Sequence, residues 1–251
     1  MSGLAALLVC LAAWEVLARA NPAFETYFPP VSRVLVTLVR LIVSGEVVPD
    51  VVATLSRYAR GFALAAAIAV TVGVILGSSR FLLSFFAVPI EFLRPMPSVA
   101  TIPIAILLLG LGDSMKIAVA TYGATWPILL NTIDGVLRID PILLATGRTL
   151  GLRRAHILWK IALPAALPYI VTGLRISLPI ALIAITATEM LAGSDGLGFF
   201  ILDVQRAMKI PQMYAGIVLV SLIGYALNRL FLMAEARAMA WHRSAHLRDE
   251  L

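Results

Sequence analysis

The chain has 251 residues, 61% hydrophobic and 14% charged, a formal net charge of +6 and a mean hydropathy of +0.95. A soluble domain carries about 25% charged residues, so this composition excludes an ordinary soluble enzyme and defines an integral membrane protein in a single domain, 1–251. The basic residues gather between apolar runs and at the C-terminus, which is the pattern of cytoplasmic membrane-flanking loops and not of a nucleic-acid-binding face. The single cysteine, Cys10, excludes an internal disulfide framework or a cysteine metal cluster.

In chain order, residues 1–20 are expected to be a short retained first span. No Lys or Arg precedes the apolar run, although Ala18-Arg19-Ala20 fits a small-x-small cleavage site. Residues 21–56 form a surface or periplasmic segment. Ser32 is an expected N-cap there, and Val34, Leu35, Leu38, Leu41 and Ile42 share one face. That spacing predicts either an amphipathic helix on the membrane surface or a packed connector.

Residues 57–133 hold spans two to four. The second, Gly61 to Leu76, is rich in the small residues that let membrane helices approach closely. The run 82–110 exceeds the roughly 20 residues of a straight span and is expected to break at Pro89, Pro95, Pro97 and Pro103. Glu91 and Arg94, three apart in that run, are expected to pair on one helix face. A charge at membrane depth is costly and is by default a functional candidate, the alternative being a structural ion pair that fixes the bend. Ile117 to Ile133 is the expected fourth span.

Residues 134–169 are the longest basic interval, with Arg138, Arg148, Arg153, Arg154 and Lys160 against Asp134 and Asp140. Two helical pieces are predicted, separated at Gly151 and closed by Pro164 and Pro168. Ile157, Leu158 and Trp159 are expected to form an exposed apolar edge among the cations, an arrangement suited to docking a protein partner. Residues 170–233 hold spans five and six. Arg175 and Glu189 lie near opposite ends of the fifth, and Glu189 is read as an interface or gate residue. Residues 199–212 are expected to be a short re-entrant or surface helix ending at Pro211, and 234–251 a cytoplasmic tail. Basic charge stays inside, so the loop and tail are assigned to the cytoplasm.

No Walker A pattern, His-Glu-x-x-His or Gly-x-Ser-x-Gly occurs. His156, His242 and His246 all lie outside the spans. The chain is not expected to be an enzyme, nor to hold a metal or cofactor.

Thr149-Leu150-Gly151, nine residues, then Ile161-Ala162-Leu163-Pro164 resembles the EAA loop of ABC-importer permeases. Leu55-Ser56-Arg57 with Gly61-Phe62, Leu93-Arg94-Pro95-Met96-Pro97-Ser98, Gly110-Leu111-Gly112, and Glu189 followed by Gly196-Leu197-Gly198 extend the match over roughly 50–230. Together they are similar to the nitrate/sulfonate/taurine branch. The motif's leading Glu-Ala-Ala falls on Ala145-Thr146-Gly147, so its carboxylate is missing.

The resemblance implies an all-α type I permease with five or six transmembrane helices in a bacterial inner membrane. It implies two copies forming a pore, two ABC ATPase subunits binding ATP and Mg, and a periplasmic binding protein delivering the solute. The implied coupling residues are Ala145, Thr146, Gly147, Thr149, Leu150, Gly151, Arg153, Arg154, Ile157, Leu158, Trp159, Leu163 and Pro164. Glu91, Arg94, Pro95, Pro97, Arg175 and Glu189 are candidates for the translocation pathway. A small anion (nitrate, a sulfonate or taurine) is the expected cargo, with a vitamin precursor or aromatic carboxylate as the alternative. A secondary transporter or channel is the contrasting class. It would show paired broken spans, and only one broken run is evident.

Overall fold

A computed structural model describes residues 2–20 and 27–238, all helix and turn. The tail beyond 238, with Arg243 and Arg248, lies outside the described residues, as do His242 and His246. In order the elements are α1 (Ser2–Ala20), α2 (Val31–Val43), α3 (Val48–Gly77), α4 (Arg80–Leu93), a 3-10 turn (Ser98–Thr101), α5 (Ile102–Leu109), α6 (Asp113–Leu137), α7 (Pro141–Thr149), α8 (Arg154–Ile157), a π turn (Leu158–Ala162), α9 (Leu163–Ala192), α10 (Leu197–Arg206) and α11 (Ile210–Ala238).

Among the described residues, three helices are long and apolar enough to cross a membrane: Val48–Gly77, Leu158–Ala192 and Ile210–Arg237. The pair Arg80–Leu93 and Ser98–Leu109, bent by 89°, makes a fourth if it counts as one span. The expected fourth span lies in α6, which is 25 residues long but carries Thr121, Thr125, Asn131 and Thr132. Its Ala120, Ala124, Ile128 and Thr132 are buried, so protein rather than lipid surrounds much of it and the polar groups are satisfied there. Thr125 and Thr132 bond back to carbonyls one turn earlier, and Ser177 donates to the Ala124 carbonyl.

The chain forms two compact units, Met1–Ser56 with Thr186–Ile223, and Arg57–Ile185 with Gly224–Leu251. In the first, Val34, Leu38, Leu41 and Val47 pack on Leu197, Phe200, Ile201, Val204 and Leu219. Thus α2 is a packed connector, and Leu35 and Ile42 of the predicted stripe are exposed. Ser32 is not the N-cap. Pro30 occupies that position, and the Glu15 carboxylate accepts the Ser32 N–H at 3.0 Å and its hydroxyl at 2.8 Å. A carboxylate there satisfies helix-end donors and suits the positive end of the helix dipole. Beside it, Trp14 donates to the Pro29 carbonyl and stacks on Phe28.

Several expected boundaries move. The expected second span, Gly61 to Leu76, is the latter part of α3, which already begins at Val48 and includes Arg57 and Arg60. Pro89 lies inside α4, and Pro103 sits in the first turn of α5, where the missing N–H costs nothing. The break is therefore the work of Pro95 and Pro97. Pro211 does not end α10. That helix closes on Met208 at φ 57°, with Lys209 N–H bonded to the Val204 carbonyl, and Pro211 lies in the first turn of α11. Its Phe200, Ile201 and Val204 are core residues, so α10 is a packed helix and not a surface one.

In the second unit, Val136, Ile139, Ala162, Ala166 and Ile170 form a core with Leu144 and Leu158 against it. Pro164 and Pro168 do not close a helix. The chain passes through the π turn Leu158–Ala162 directly into α9. A widened turn relieves the clash between a proline ring and the carbonyl four residues back, which is the difference from the sequence expectation.

Candidate functional site

The basic loop is a helical hairpin whose geometry is set by a few residues. Asp140 caps α7 by accepting the Ile142 N–H at 2.8 Å, with Pro141 following as a preorganised first residue. At the other end Gly151 takes φ 71°. Its N–H reaches the Arg148 carbonyl and the Leu152 N–H reaches the Gly147 carbonyl. This is a Schellman closure, the left-handed ending that glycine adopts without strain. Gly147 permits the return strand of the hairpin to come close: a Cβ there would stand 2.7 Å from Ile161 Cδ1.

The hairpin turns its sequence-predicted residues two ways. Ala145, Thr146, Thr149, Leu150, Gly151, Arg153 and Trp159 are exposed, with Leu150 at 72% and Trp159 at 68%. Gly147 is buried, and Ile157, Leu158, Leu163 and Pro164 are half-buried. The expected exposed edge of Ile157, Leu158 and Trp159 is therefore corrected. Ile157 and Leu158 line a cavity of about 400 Å³ with Val136, Ile139 and Leu144 behind the loop. The outward apolar surface comes instead from Ile142, Leu143, Leu150 and Trp159, because helical rotation carries adjacent residues to opposite faces. The Arg154 side chain lies outside the described ones. No carboxylate stands at Ala145, whose carbonyl accepts the Thr149 hydroxyl.

Within the second unit, Arg175 lies apart in the chain from the break that Glu91, Arg94, Pro95 and Pro97 occupy. Glu91, Arg94, Pro95 and Pro97 lie exposed at the break between α4 and the 3-10 turn. The expected Glu91–Arg94 ion pair is not formed. Arg94 instead lines an open cleft of about 420 Å³ with Met96, Ser98, Gly123, Trp126 and Leu130. Arg175 pairs with Glu235 at 3.7 Å.

Glu189 belongs to the first unit, is 0% exposed, and corrects its reading as an interface residue. Its carboxylate accepts the Thr54 hydroxyl at 2.8 Å and the Gly198 N–H at 3.1 Å. The Thr54 hydroxyl oxygen in turn accepts the Leu197 N–H, and Asp50 accepts the Gly196 N–H. A buried carboxylate is tolerated when hydrogen-bonded, and here it anchors the start of α10.

In the second unit Arg57 is 3% exposed and donates to Asp113 at 2.7 Å, while Arg60 reaches the other carboxylate oxygen at 3.0 Å. Burial opposes the Asp113 charge, but hydrogen bonds and the positive charges of Arg57 and then Arg60 outweigh it, holding the carboxyl below its ordinary pKa. Asp50, Thr54, Asp113 and Trp126 were not singled out by sequence. The partners of Asp50, Thr54 and Asp113 are distant in the chain, so no local spacing marks them.

Apolar helices long enough to span, a bent helix pair that opens a cleft beside Arg94, and a basic hairpin with exposed apolar side chains are the features of a membrane permease. Residues 69–239 match the family described as the binding-protein-dependent transport system inner membrane component, and the chain belongs to that family. It is an inner-membrane permease of an ABC importer.

It is similar to the putative aliphatic sulfonates transport permease protein SsuC of Bacillus subtilis, 29% identical over 97% of this chain and 88% of that one. The nitrate import permease protein NrtB of Synechocystis is 34% identical over 74% of this chain and 68% of its own length. The bicarbonate transport system permease protein CmpB of Synechococcus elongatus is 36% identical over 71% and 64%. An inward-facing MetNI methionine ABC transporter chain shares the fold with a TM-score of 0.65, at 23% identity over 77% of this chain and 94% of that chain.

Proposed function

We propose that the chain imports a small anion, a sulfonate, nitrate or bicarbonate, using ATP hydrolysed by a partner. Two copies form the pore, two ABC ATPase subunits carry ATP and Mg, and a periplasmic binding protein delivers the solute. This chain itself binds no nucleotide, metal or cofactor. It crosses the membrane five or six times in one permease domain, through α3, the bent pair, residues 117–133 of α6, α9 and α11, with α1 as the sixth span. The loop 134–169 and the tail face the cytoplasm.

The observation that carries this reading is the hairpin. Its Schellman turn and buried inner face make it stiff enough to transmit force, while Leu150 and Trp159 stand out beside Arg153 as an anchor with steering charge. Closure of the ATPases would then pull on α7 and the π turn, and through them on α6 and α9. The relatives named for sulfonate, nitrate and bicarbonate support the anionic cargo.

The test is uptake into vesicles containing the chain, its copurifying ATPase and its binding protein. ATP-dependent import of one of these anions supports the proposal. Import of only neutral or cationic solutes would overturn the choice of cargo, and ATP-independent flux would overturn the mechanism.

A further inference from the structure

We propose that the cleft at the break of the bent helix pair is a transient oxyanion site. Arg94, Ser98 and Trp126 are its donors, and an organic sulfonate or carboxylate is its ligand. This rests on the reading of the chain as an anion permease and adds where in the chain the anion is recognised.

The first observation is an orphan. The Trp126 indole Nε1 is buried without a hydrogen-bond partner, although buried indole N–H groups usually have one. It lines the same cleft as Arg94 and Ser98. Among the described residues neither the Arg94 guanidinium nor the Ser98 hydroxyl makes a hydrogen bond or ion pair either. No carboxylate lines the cleft. Indole and guanidinium are donors only, so a ligand that pairs with both is an acceptor, and the positive charge favours an anion. A guanidinium fork matches two oxygens of a sulfonate or carboxylate.

The second observation is preorganisation. The Tyr122 hydroxyl donates to the Leu93 carbonyl at 2.7 Å, tying α6 to the last turn of α4 just before the break. The Tyr122 ring meets Trp126 edge-on, centroids 5.6 Å apart at 84°. The tyrosine thereby holds both the broken backbone and the indole. Pro95 and Pro97 keep the break open by withholding the N–H groups that would continue the helix.

The third is size. A cavity of about 420 Å³ is in the range of small-molecule sites and has apolar walls in Met96, Leu130 and Ile180. A charged head on the donors leaves those walls for a short carbon tail, which favours an organic anion over nitrate. A site for passage holds its ligand weakly enough to release it.

The test uses the full chain with its ATPase in lipid nanodiscs, with tryptophan 15N-labelled and 1-butanesulfonate as the probe. One indole N–H resonance, the one missing in Trp126→Phe, should move saturably. Arg94→Gln should weaken that response about tenfold or more, and Trp126→Phe should weaken calorimetric binding by a smaller factor, as loss of one charge-assisted hydrogen bond predicts. 1-Butanol should leave the resonance unmoved. An unmoved indole, an equal response in Arg94→Gln, or an equal response to 1-butanol would overturn the site. Vesicle uptake separates the two levels. Anion import that is unchanged in Arg94→Gln and Trp126→Phe sinks this site alone, whereas a wild type that imports no anion sinks the reading beneath it.

Discussion

The Glu189 carboxylate accepts the Thr54 hydroxyl at 2.8 Å, joining positions 135 residues apart in the chain. The same carboxylate holds the Gly198 N–H, so the first turn of α10 is fixed by a side chain from α9. Glu189→Ala leaves the Thr54 hydroxyl and a backbone N–H short of a buried acceptor. It should cost about 2–3 kcal/mol and lower the thermal unfolding midpoint in detergent. Glu189→Gln keeps one acceptor and should cost less. Equal midpoints for all three proteins would show that the node contributes nothing.

Asp113 gives a pH dependence. Its folded pKa is lowered from 3.8, so its contribution to stability is fully present above that value and is lost as pH falls through the lower folded value. Thermal unfolding of the wild type and Asp113→Asn should therefore differ most near neutrality. The gap should narrow once the pH drops below about 4. A gap that widens toward acid would contradict the sign.

Gly151→Ala places a side chain at φ 71°, a conformation costing a non-glycine residue about 1–2 kcal/mol. The strain falls on the tip of the hairpin, away from the apolar helices. Membrane insertion should be retained while ATP-driven uptake drops severalfold. Uptake at the wild-type rate would remove Gly151 from the coupling path.

Trp159 is 68% exposed, so Trp159→Ala should change stability by no more than about 0.5 kcal/mol. An anchoring tryptophan, by contrast, is often worth about 2 kcal/mol or more at an interface. The expected result is an unchanged melting curve with weaker ATPase retention in titrations of the purified subunits. Unaltered retention would assign the anchor to Leu150, Ile142 and Leu143 instead.

Much of this architecture was legible because its signals are local. Apolar runs mark the helices, Gly151 marks a left-handed ending, and the proline-broken run 82–110 marks the bend. The misplaced boundaries share one cause: a proline reads as a breaker in sequence, yet Pro103 and Pro211 fall in first turns, where no N–H is required. Pro164 likewise follows a π turn that accommodates its ring. Facing was harder still. Ile157, Leu158 and Trp159 are neighbours in the chain, and only the rotation through the π turn decides that two go inward and one outward. Glu189 and Arg57 depend on partners from other helices, so their roles emerged only from packing.

The central claim is that the hairpin docks an ATPase. A mild-detergent pull-down of the full chain and of a variant lacking 152–158, each followed by mass spectrometry and an ATPase assay, tests it most directly. The wild type should bring down a stoichiometric ATPase, and the deletion should insert in the membrane but lose it. An ATPase held equally by the deletion, or none held by the wild type, would contradict the account.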